Sequence, residues 1–145
     1  ATALTAGLKA IVCVGEPLAA HKKGLSAAKR FVANQLKKDL SGASKAMSRK
    51  SRVIIAYEPI WAISTVSHGK SDTPADAVAM IQFIKSTFHS AFRILDPKVL
   101  YGGSVTSKNT RAFLEHKEIG GALIGGTSLY AEEFKKIITI AEGIR

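Results

Sequence analysis

The chain has 145 residues, long enough for one domain with a sizeable core. Hydrophobic residues make up 46% of it and charged residues 22%, a profile of soluble globular proteins and not of disordered ones. No apolar run approaches the roughly 20 residues of a membrane span, and the start of the chain lacks the basic-then-apolar pattern of a signal peptide. The single cysteine, Cys13, excludes an internal disulfide and favours a reducing, cytoplasmic location.

The net charge of +10 is high for this length and would attract an anionic ligand, an acidic partner or a nucleic acid. Basic pairs such as Lys29-Arg30 and Lys37-Lys38 fall on the polar side of a helical pattern, which is typical of a solvated face. No basic strand interleaved with aromatic residues and no nucleic-acid motif accompanies the charge. We therefore expect no nucleic-acid partner.

Short apolar blocks alternate four times along the chain with stretches of helical spacing. The blocks predict strands at 11–14, 53–57, 99–101 and 122–124. Helices are predicted over 28–40, over 73–88 with Thr73 as N-cap and Pro74 next, over about 107–116, and over 134–141. Residues 1–8 resemble the tail of an earlier helix, so we expect a chain that begins within a fold. This order predicts an α/β fold with a parallel sheet and right-handed crossovers, in a single domain over 1–145.

Glu58 directly follows the second predicted strand and precedes Pro59. Its carboxylate is therefore expected at the carboxyl end of a parallel strand, where ligands bind in α/β folds. A partly desolvated carboxylate gains proton affinity and can act as a general base. Single carboxylates at strand ends also cap helices or pair with lysines, and position alone does not decide between these interpretations.

Two glycine pairs follow the last two predicted strands, in Gly102-Gly103-Ser104 and Gly125-Gly126-Thr127-Ser128. Glycine lets backbone N–H groups approach an anion, and a helix that follows adds the positive end of its dipole. Such pairs also form simple tight turns. Two of them in successive strand–helix units resemble the phosphate site that many (β/α)8 barrels form after their seventh and eighth strands.

Four segments together resemble the triosephosphate isomerase family. Ala56–Ile63, which reads Ala-Tyr-Glu-Pro-Ile-Trp-Ala-Ile, is similar to that family's active-site strand and lid hinge. Cys13–Glu16, Leu100–Val105 and Leu123–Leu129 are similar to three further segments, in the family's order and at compatible spacing. The resemblance covers essentially the whole chain and corresponds to strands five to eight and the end of helix four. It implies half of a (β/α)8 barrel with four parallel strand–helix units.

The resemblance also implies what the active-site residues do. Glu58 would take the proton from the carbon next to the substrate carbonyl. The substrate phosphate would be held by backbone N–H groups of Ser104, Gly125 and Gly126, helped by the lid residue Ser64. The implied ligand is a small phosphorylated substrate or anion, with no cofactor, no metal and no membrane.

A second set of implied roles concerns the lid that covers the substrate. Its hinge would contain Pro59, Ile60 and Trp61, and Tyr101 and Ser104 would hydrogen-bond the closed lid. Glu16 and Trp61 are similar to a pair that shifts with lid movement. A closed lid keeps water away from a labile enediolate.

This chain departs from the family's pattern in two respects. The family's lid usually reads Ala-Ile-Gly-Thr-Gly-Lys, whereas here Ser64 replaces the first glycine and three residues, 66–68, are inserted before Gly69-Lys70. A backbone N–H survives the replacement, but the closing geometry is expected to differ. The family's Asn-x-Lys, its catalytic His and the loop that docks into a neighbouring subunit belong to the N-terminal half of the barrel, which we expect this chain to lack.

The remaining chemically active side chains show no spaced partners. We expect surface or packing roles for the four histidines, although His68 in the lid insertion could approach a substrate. Cys13 has no adjacent base, so we predict a buried core thiol and not a nucleophile. No cluster has the spacing of metal ligands.

A half barrel leaves sheet edges open and an apolar inner face uncovered, so we expect a homodimer or a complex with a complementary N-terminal half. Three functions then compete: an isomerase once completed, a binder of triose phosphate or similar anions with little or no activity alone, and a module without a ligand. We favour the binder, because losing a single oxyanion donor typically costs about 100- to 1,000-fold in rate.

Overall fold

The sheet of this protein is parallel, as the sequence predicts. The computed structural model describes residues 2–42, 53–63, 72–93 and 96–144. Its strands are β1 (Ala10–Val14), β2 (Val53–Tyr57) and β3 (Val99–Tyr101), hydrogen-bonded in that order. The register pairs Val14 with Tyr57 and Tyr57 with Tyr101, so that the carboxyl ends of the strands lie in one row.

The fourth predicted strand is reduced to a bridge between Tyr101 and Ala122. The N–H of Tyr101 donates to the Gly121 carbonyl at 2.9 Å, and the N–H of Leu123 donates to the Tyr101 carbonyl at 2.8 Å. This pairing continues the parallel order of the sheet by one position. The α/β architecture is that of a half barrel, with a fourth unit that pairs only briefly.

The helices of the described residues follow the predicted alternation with the strands. They are α1 (Thr2–Thr5), α2 (Leu18–His21), α3 (Leu25–Leu40), α4 (Pro74–Phe92), α5 (Thr110–Leu114) and α6 (Ala131–Glu142). Turns of 3-10 helix occupy Ile60–Ala62 and Gly126–Leu129. No described helix combines the length and the apolar character that crossing a membrane requires.

The start of α4 confirms the capping prediction. The Thr73 hydroxyl accepts a hydrogen bond from the Asp76 N–H at 3.1 Å and donates to the Asp76 carboxylate at 2.8 Å. Pro74 occupies the first helical position, where a missing N–H costs nothing. The side chain of Thr73 therefore fixes the start of α4.

The core lies between the sheet and helices α3 and α4. Strand β2 is buried at nearly every position, which agrees with its continuous run of apolar residues. The residues that α3 and α4 bury against it are Ala28, Val32, Leu36, Leu40, Ala77, Met80, Ile81, Ile84 and Phe88. In α6 the buried stripe is narrow, because Ile137 is buried whereas Ile138 is 44% exposed.

The other face of β1 is uncovered, and this overturns one prediction. Cys13 is exposed, and Ile11, two residues earlier on the same face, is 49% exposed. Val14 points the opposite way and is buried. The prediction of a buried core thiol at Cys13 is wrong, because alternation along the strand places it on the face that α3 and α4 do not cover.

Candidate active site

The carboxyl ends of the strands bring separate sequence segments together. The N–H of Glu58 donates to the Val14 carbonyl at 2.8 Å, and the N–H of Gly102 donates to the Tyr57 carbonyl at 2.8 Å. These bonds extend the parallel ladder by one residue beyond β2 and β3. The segments that follow β1, β2 and β3 therefore begin side by side at one edge of the sheet.

Two glycines permit this close approach. A Cβ on Gly15 would lie 1.7 Å from the backbone oxygen of Glu58. A Cβ on Gly102 would lie 2.6 Å from the Cγ atom of the Glu58 side chain. Real Cβ atoms do not come so near, so the position of Glu58 depends on glycine in both neighbouring segments.

Glu58 and both glycine pairs line one cavity of about 240 Å³. Four residues predicted from the sequence meet there: Glu58, Ser104, Gly125 and Gly126. Ile63, Val105 and Leu123 add apolar walls. Ser64, the fifth residue predicted for this site, lies outside the described residues.

Backbone N–H groups are the polar donors that the glycine segments offer. Among the described residues, no acceptor is found for the N–H groups of Ser104, Gly125 and Gly126. A Cβ on Gly125 or Gly126 would meet nothing within 4 Å, so the backbone there is accessible from the cavity. Accessible N–H groups at the carboxyl ends of parallel strands suit an anionic ligand.

Side chains hold the loop after β3 in place. Asn109 accepts from the Thr106 N–H at 2.8 Å and donates to the Ser104 carbonyl at 2.9 Å. The Thr127 hydroxyl donates to the Val105 carbonyl at 2.9 Å, which ties this loop to the following glycine segment. The two glycine segments are thus connected to each other, a contact that no sequence motif predicts.

The Ser104 hydroxyl links the cavity to the hinge by donating to the Ala62 carbonyl at 2.8 Å. The hinge is the 3-10 turn Ile60–Ala62, preceded by Pro59. Trp61 is buried in this turn, whereas Ile60 is 38% exposed. The predicted hinge residues therefore form one compact turn directly after Glu58.

Glu16 is the centre of a buried network behind the hinge. It is 1% exposed and accepts a hydrogen bond from the Trp61 indole N–H at 2.6 Å. The Tyr57 hydroxyl also donates to Glu16, at 3.2 Å to the nearer carboxylate oxygen. The pairing of Glu16 with Trp61 that the resemblance suggested is present as a direct contact.

Tyr101 is buried at the carboxyl end of β3. Its ring stacks on Phe113 with centroids 4.2 Å apart, and its hydroxyl lies against Gly103, where a Cβ would come within 2.2 Å of it. Burial, followed by the charge of Asp72, raises the pKa of Tyr101 well above its usual range. The phenol is therefore neutral at ordinary pH, and it lies against Gly103, which lines the cavity.

Cys13 is a neighbour of Glu58 that the sequence analysis did not place in the site. The pKa of the Cys13 thiol is raised from 9.0 to about 11. The largest cause is partial burial, followed by the hydrogen bond to the Glu58 carboxylate and by the negative charge of Glu58. The thiol therefore stays protonated at neutral pH and does not act as a nucleophile. Across the described ranges, no group of three or more His, Cys, Asp or Glu side chains is arranged to hold a metal ion.

Known proteins resemble this chain over nearly its full length. A family model described as triosephosphate isomerase matches residues 1–141. A triosephosphate isomerase of Caldanaerobacter subterraneus subsp. tengcongensis is 41% identical over 140 residues, covering 94% of this chain and 54% of that protein. One of Dehalococcoides mccartyi is 42% identical over 148 aligned residues, covering 99% of this chain and 54% of that protein. The chain spans about half the length of the curated relatives it matches.

Proposed function

The chain belongs to the triosephosphate isomerase family, and from this premise we propose that it forms the half of a triose-phosphate site that carries the general base and the phosphate loops. The supporting observation is the cavity of about 240 Å³ that Glu58 shares with Gly102–Ser104 and Gly125–Thr127. A carboxylate and a set of backbone donors in one cavity suit a substrate with an acidic C–H group and a phosphate.

The phosphate is held by the N–H groups of Ser104, Gly125 and Gly126, helped by that of Ser64. Gly125 precedes the 3-10 turn Gly126–Leu129, and Gly126 begins it. Their N–H groups therefore lie at the start of the helical turns that lead into α6. The net charge of +10 adds a general attraction for anions. The ligand class is therefore a small phosphorylated compound.

Glu58 acts as the general base. Its carboxylate takes the proton from the carbon next to the carbonyl, and the electrons move to the carbonyl oxygen to give an enediolate. Gly15 lies against the Glu58 backbone and Gly102 against the Glu58 side chain, and together they fix the position of the carboxylate. The Ser104 hydroxyl bond to Ala62 holds the hinge against the phosphate loop.

The chain alone binds triose phosphate with little or no isomerase activity. In the family resemblance, the groups that polarise the carbonyl belong to the N-terminal half, outside these 145 residues. An enediolate without those donors forms slowly, since one oxyanion donor is typically worth about 100- to 1,000-fold in rate. Joined to an N-terminal half, in the same polypeptide or as a separate one, the site becomes an active isomerase.

A second copy of the chain is the alternative way to complete the site. Exposed apolar side chains support association, with Ile11 49% exposed on β1, and Leu129 84% and Tyr130 71% exposed beside the second glycine pair. Light scattering over a micromolar dilution series tests this alternative. A dimer mass that persists on dilution supports it, and a monomer mass throughout contradicts it.

Calorimetric titration with dihydroxyacetone phosphate tests the binding proposal. Gly126→Asp places a negative charge at a position with room for a side chain, and we expect it to weaken binding at least tenfold. Gly126→Asn, a neutral side chain of the same size, is the matched variant and should weaken binding less. Gly42→Asp adds the same charge outside the cavity and should leave affinity unchanged. Equal affinities in all four chains would contradict the proposed phosphate site.

A further inference from the structure

A second cavity lies behind the hinge, on the side of α3 and α4. Its volume is about 180 Å³, and its walls include Glu16, Tyr57, Trp61, Asp72, Asp76 and Met80. No Lys or Arg of the described residues lines it. Three carboxylates and one imidazole, that of His21, line the cavity. Glu16 and Asp72 are buried there, and buried carboxylates require compensation.

Glu16 is compensated by its hydrogen bonds. The donors are the indole of Trp61 and the hydroxyl of Tyr57, and the Nδ1 atom of His21 lies 3.8 Å from the nearer carboxylate oxygen. The His21 ring also stacks on Trp61, with centroids 3.8 Å apart. The hydrogen bonds from Trp61 and Tyr57 satisfy the Glu16 carboxylate.

Asp72 is equally enclosed but lacks such partners. It is 5% exposed, and its Oδ1 atom accepts from the Thr73 N–H at 2.9 Å. Its Oδ2 atom is fully buried and has no hydrogen-bond partner among the described residues. Asp76, the nearest acid on α4, is already bonded to the Thr73 hydroxyl. One carboxylate oxygen of Asp72 therefore lacks the partner that a buried charge requires.

The titratable groups around Asp72 come from each packed element: Glu16 after β1, His21 on α2, Tyr57 on β2, Tyr101 on β3 and Asp76 on α4. Burial and, next, the charge of Asp76 raise the pKa of Asp72 from 3.8 to about 7. The Thr73 N–H opposes this rise in pKa, and the charge of Glu16 adds to it. Within the described ranges these acids do not converge on a site for a metal ion. The simplest cation that can neutralise Asp72 is a proton.

We propose that Asp72 is a proton-binding site that takes up a proton when the chain folds and controls the environment of the Trp61–Glu16 hydrogen bond. With Asp72 protonated, the hydrogen bonds of Glu16 to Trp61 and Tyr57 have no charge on Asp72 beside them. With Asp72 ionised, its carboxylate shares the cavity with those of Asp76 and Glu16, and like charges in surroundings of low dielectric repel one another.

The expected effect on stability has a definite sign. The unfolded chain loses this proton near the ordinary value of 3.8, whereas the folded chain keeps it up to a pKa of about 7. Stability from this group is fully present below the lower value and is lost as the pH rises through the upper one. Between pH 5 and pH 8, the folding equilibrium constant is expected to fall by about 100-fold on this account.

The fluorescence of Trp61, the chain's one tryptophan, tests the proposal directly. In the folded chain we expect the emission to titrate with a midpoint near pH 7, and Asp72→Asn to abolish this transition. His21→Gln, which removes a titratable group stacked on the same indole, is the matched control and should retain it. A transition that persists in Asp72→Asn, or that disappears in His21→Gln, would overturn the proposal.

Urea unfolding at pH 5 and pH 8 gives a second measurement. We expect the wild-type chain to lose stability between the two values, and Asp72→Asn to lose much less. Asp72→Ala is the alternative neutral variant if the asparagine chain fails to fold. Equal losses in the wild type and in a neutral variant would overturn the proposal. Both measurements depend on the protonation of Asp72 alone, so they test this proposal whether or not the chain binds triose phosphate.

Discussion

The short segment from Glu58 to Ala62 borders two cavities, and different chemical groups line them. The candidate site is formed largely by glycine backbone, with Glu58 as a carboxylate on its wall. The cavity behind the hinge is formed largely by side chains, with three carboxylates and the rings of His21, Tyr57 and Trp61. The first offers donors to an anion, and the second has an excess of acid that calls for a cation.

The predicted hinge turn, Ile60–Ala62, makes a hydrogen bond toward each of the two cavities. The Ser104 hydroxyl bonds the Ala62 carbonyl on the side of the candidate site, and the Glu16 carboxylate holds Trp61 on the other. Substitutions in one cavity should therefore leave the other largely intact. Gly15 is the exception, because it touches the backbone of Glu58 itself.

Gly15→Ala is expected to have the largest effect and to damage both cavities. The new Cβ would lie 1.7 Å from the Glu58 oxygen and 2.4 Å from its carbonyl carbon, and neither atom can move without displacing β2. We expect a loss of about 3 kcal/mol or more in the free energy of unfolding. Urea unfolding followed by circular dichroism measures it. Gly42→Ala, where an added Cβ meets nothing within 4 Å, should be nearly neutral; a neutral Gly15→Ala would refute the close approach.

Gly102→Ala should damage the candidate site alone. Its Cβ would lie 2.6 Å from the Glu58 Cγ, a side-chain atom that can shift and carry the carboxylate with it. A misplaced base of this kind can cost about 100-fold in kcat/KM, or about 2.7 kcal/mol of barrier. The assay uses the chain completed by an N-terminal half. We expect the Trp61 emission to remain as in the wild type, and a large change in it would show that the two cavities are not separable.

Trp61→Phe should damage the hinge cavity alone. It removes the 2.6 Å indole donor and leaves the buried Glu16 with the Tyr57 hydroxyl. An under-satisfied buried carboxylate typically costs about 1–3 kcal/mol, which urea unfolding followed by circular dichroism would measure. Affinity for dihydroxyacetone phosphate should stay within about twofold. A tenfold loss of affinity with unchanged stability would be the reverse of this expectation.

Thr73→Ala is expected to have the smallest effect. It removes the hydroxyl that accepts from the Asp76 N–H at the first turn of α4. Loss of an N-cap typically costs about 1 kcal/mol, and Thr73→Ser should restore most of it. Thermal unfolding of the three chains measures the difference. If serine does no better than alanine, the hydroxyl is not the source of the stability.

The candidate site could be predicted from the sequence because its residues are adjacent to strand ends. Glu58 and the glycine pairs directly follow apolar blocks, and parallel strands place such positions at one edge. The fourth predicted strand pairs by a single bridge, although its apolar block is as long as that of β3, so block length alone does not predict the extent of pairing. The exposed face of Cys13 was missed, because the number of apolar residues in a strand does not reveal which face is covered.

The hinge cavity could not be predicted in the same way. Asp72 and Glu16 are far apart in sequence, and nothing near Asp72 shows that its second oxygen is enclosed. The one local sign is an acid placed before the Thr73-Pro74 start of a helix, a position that is usually solvated. Asp72 is buried in a cavity whose walls come from separate elements, with Trp61 in the hinge turn, Ala28 on α3 and Met80 on α4, and this emerges only from the tertiary structure.

Reconstituted isomerase activity tests the central claim most directly. The chain is mixed with the separately expressed part of the Dehalococcoides mccartyi relative that it does not cover, and conversion of glyceraldehyde 3-phosphate is followed beside Glu58→Gln made identically. We expect little or no turnover by the chain alone, clear turnover in the wild-type mixture, and a loss of at least about 100-fold in the Glu58→Gln mixture. Equal rates in the two mixtures would contradict the claim that Glu58 is the base of a triose-phosphate site.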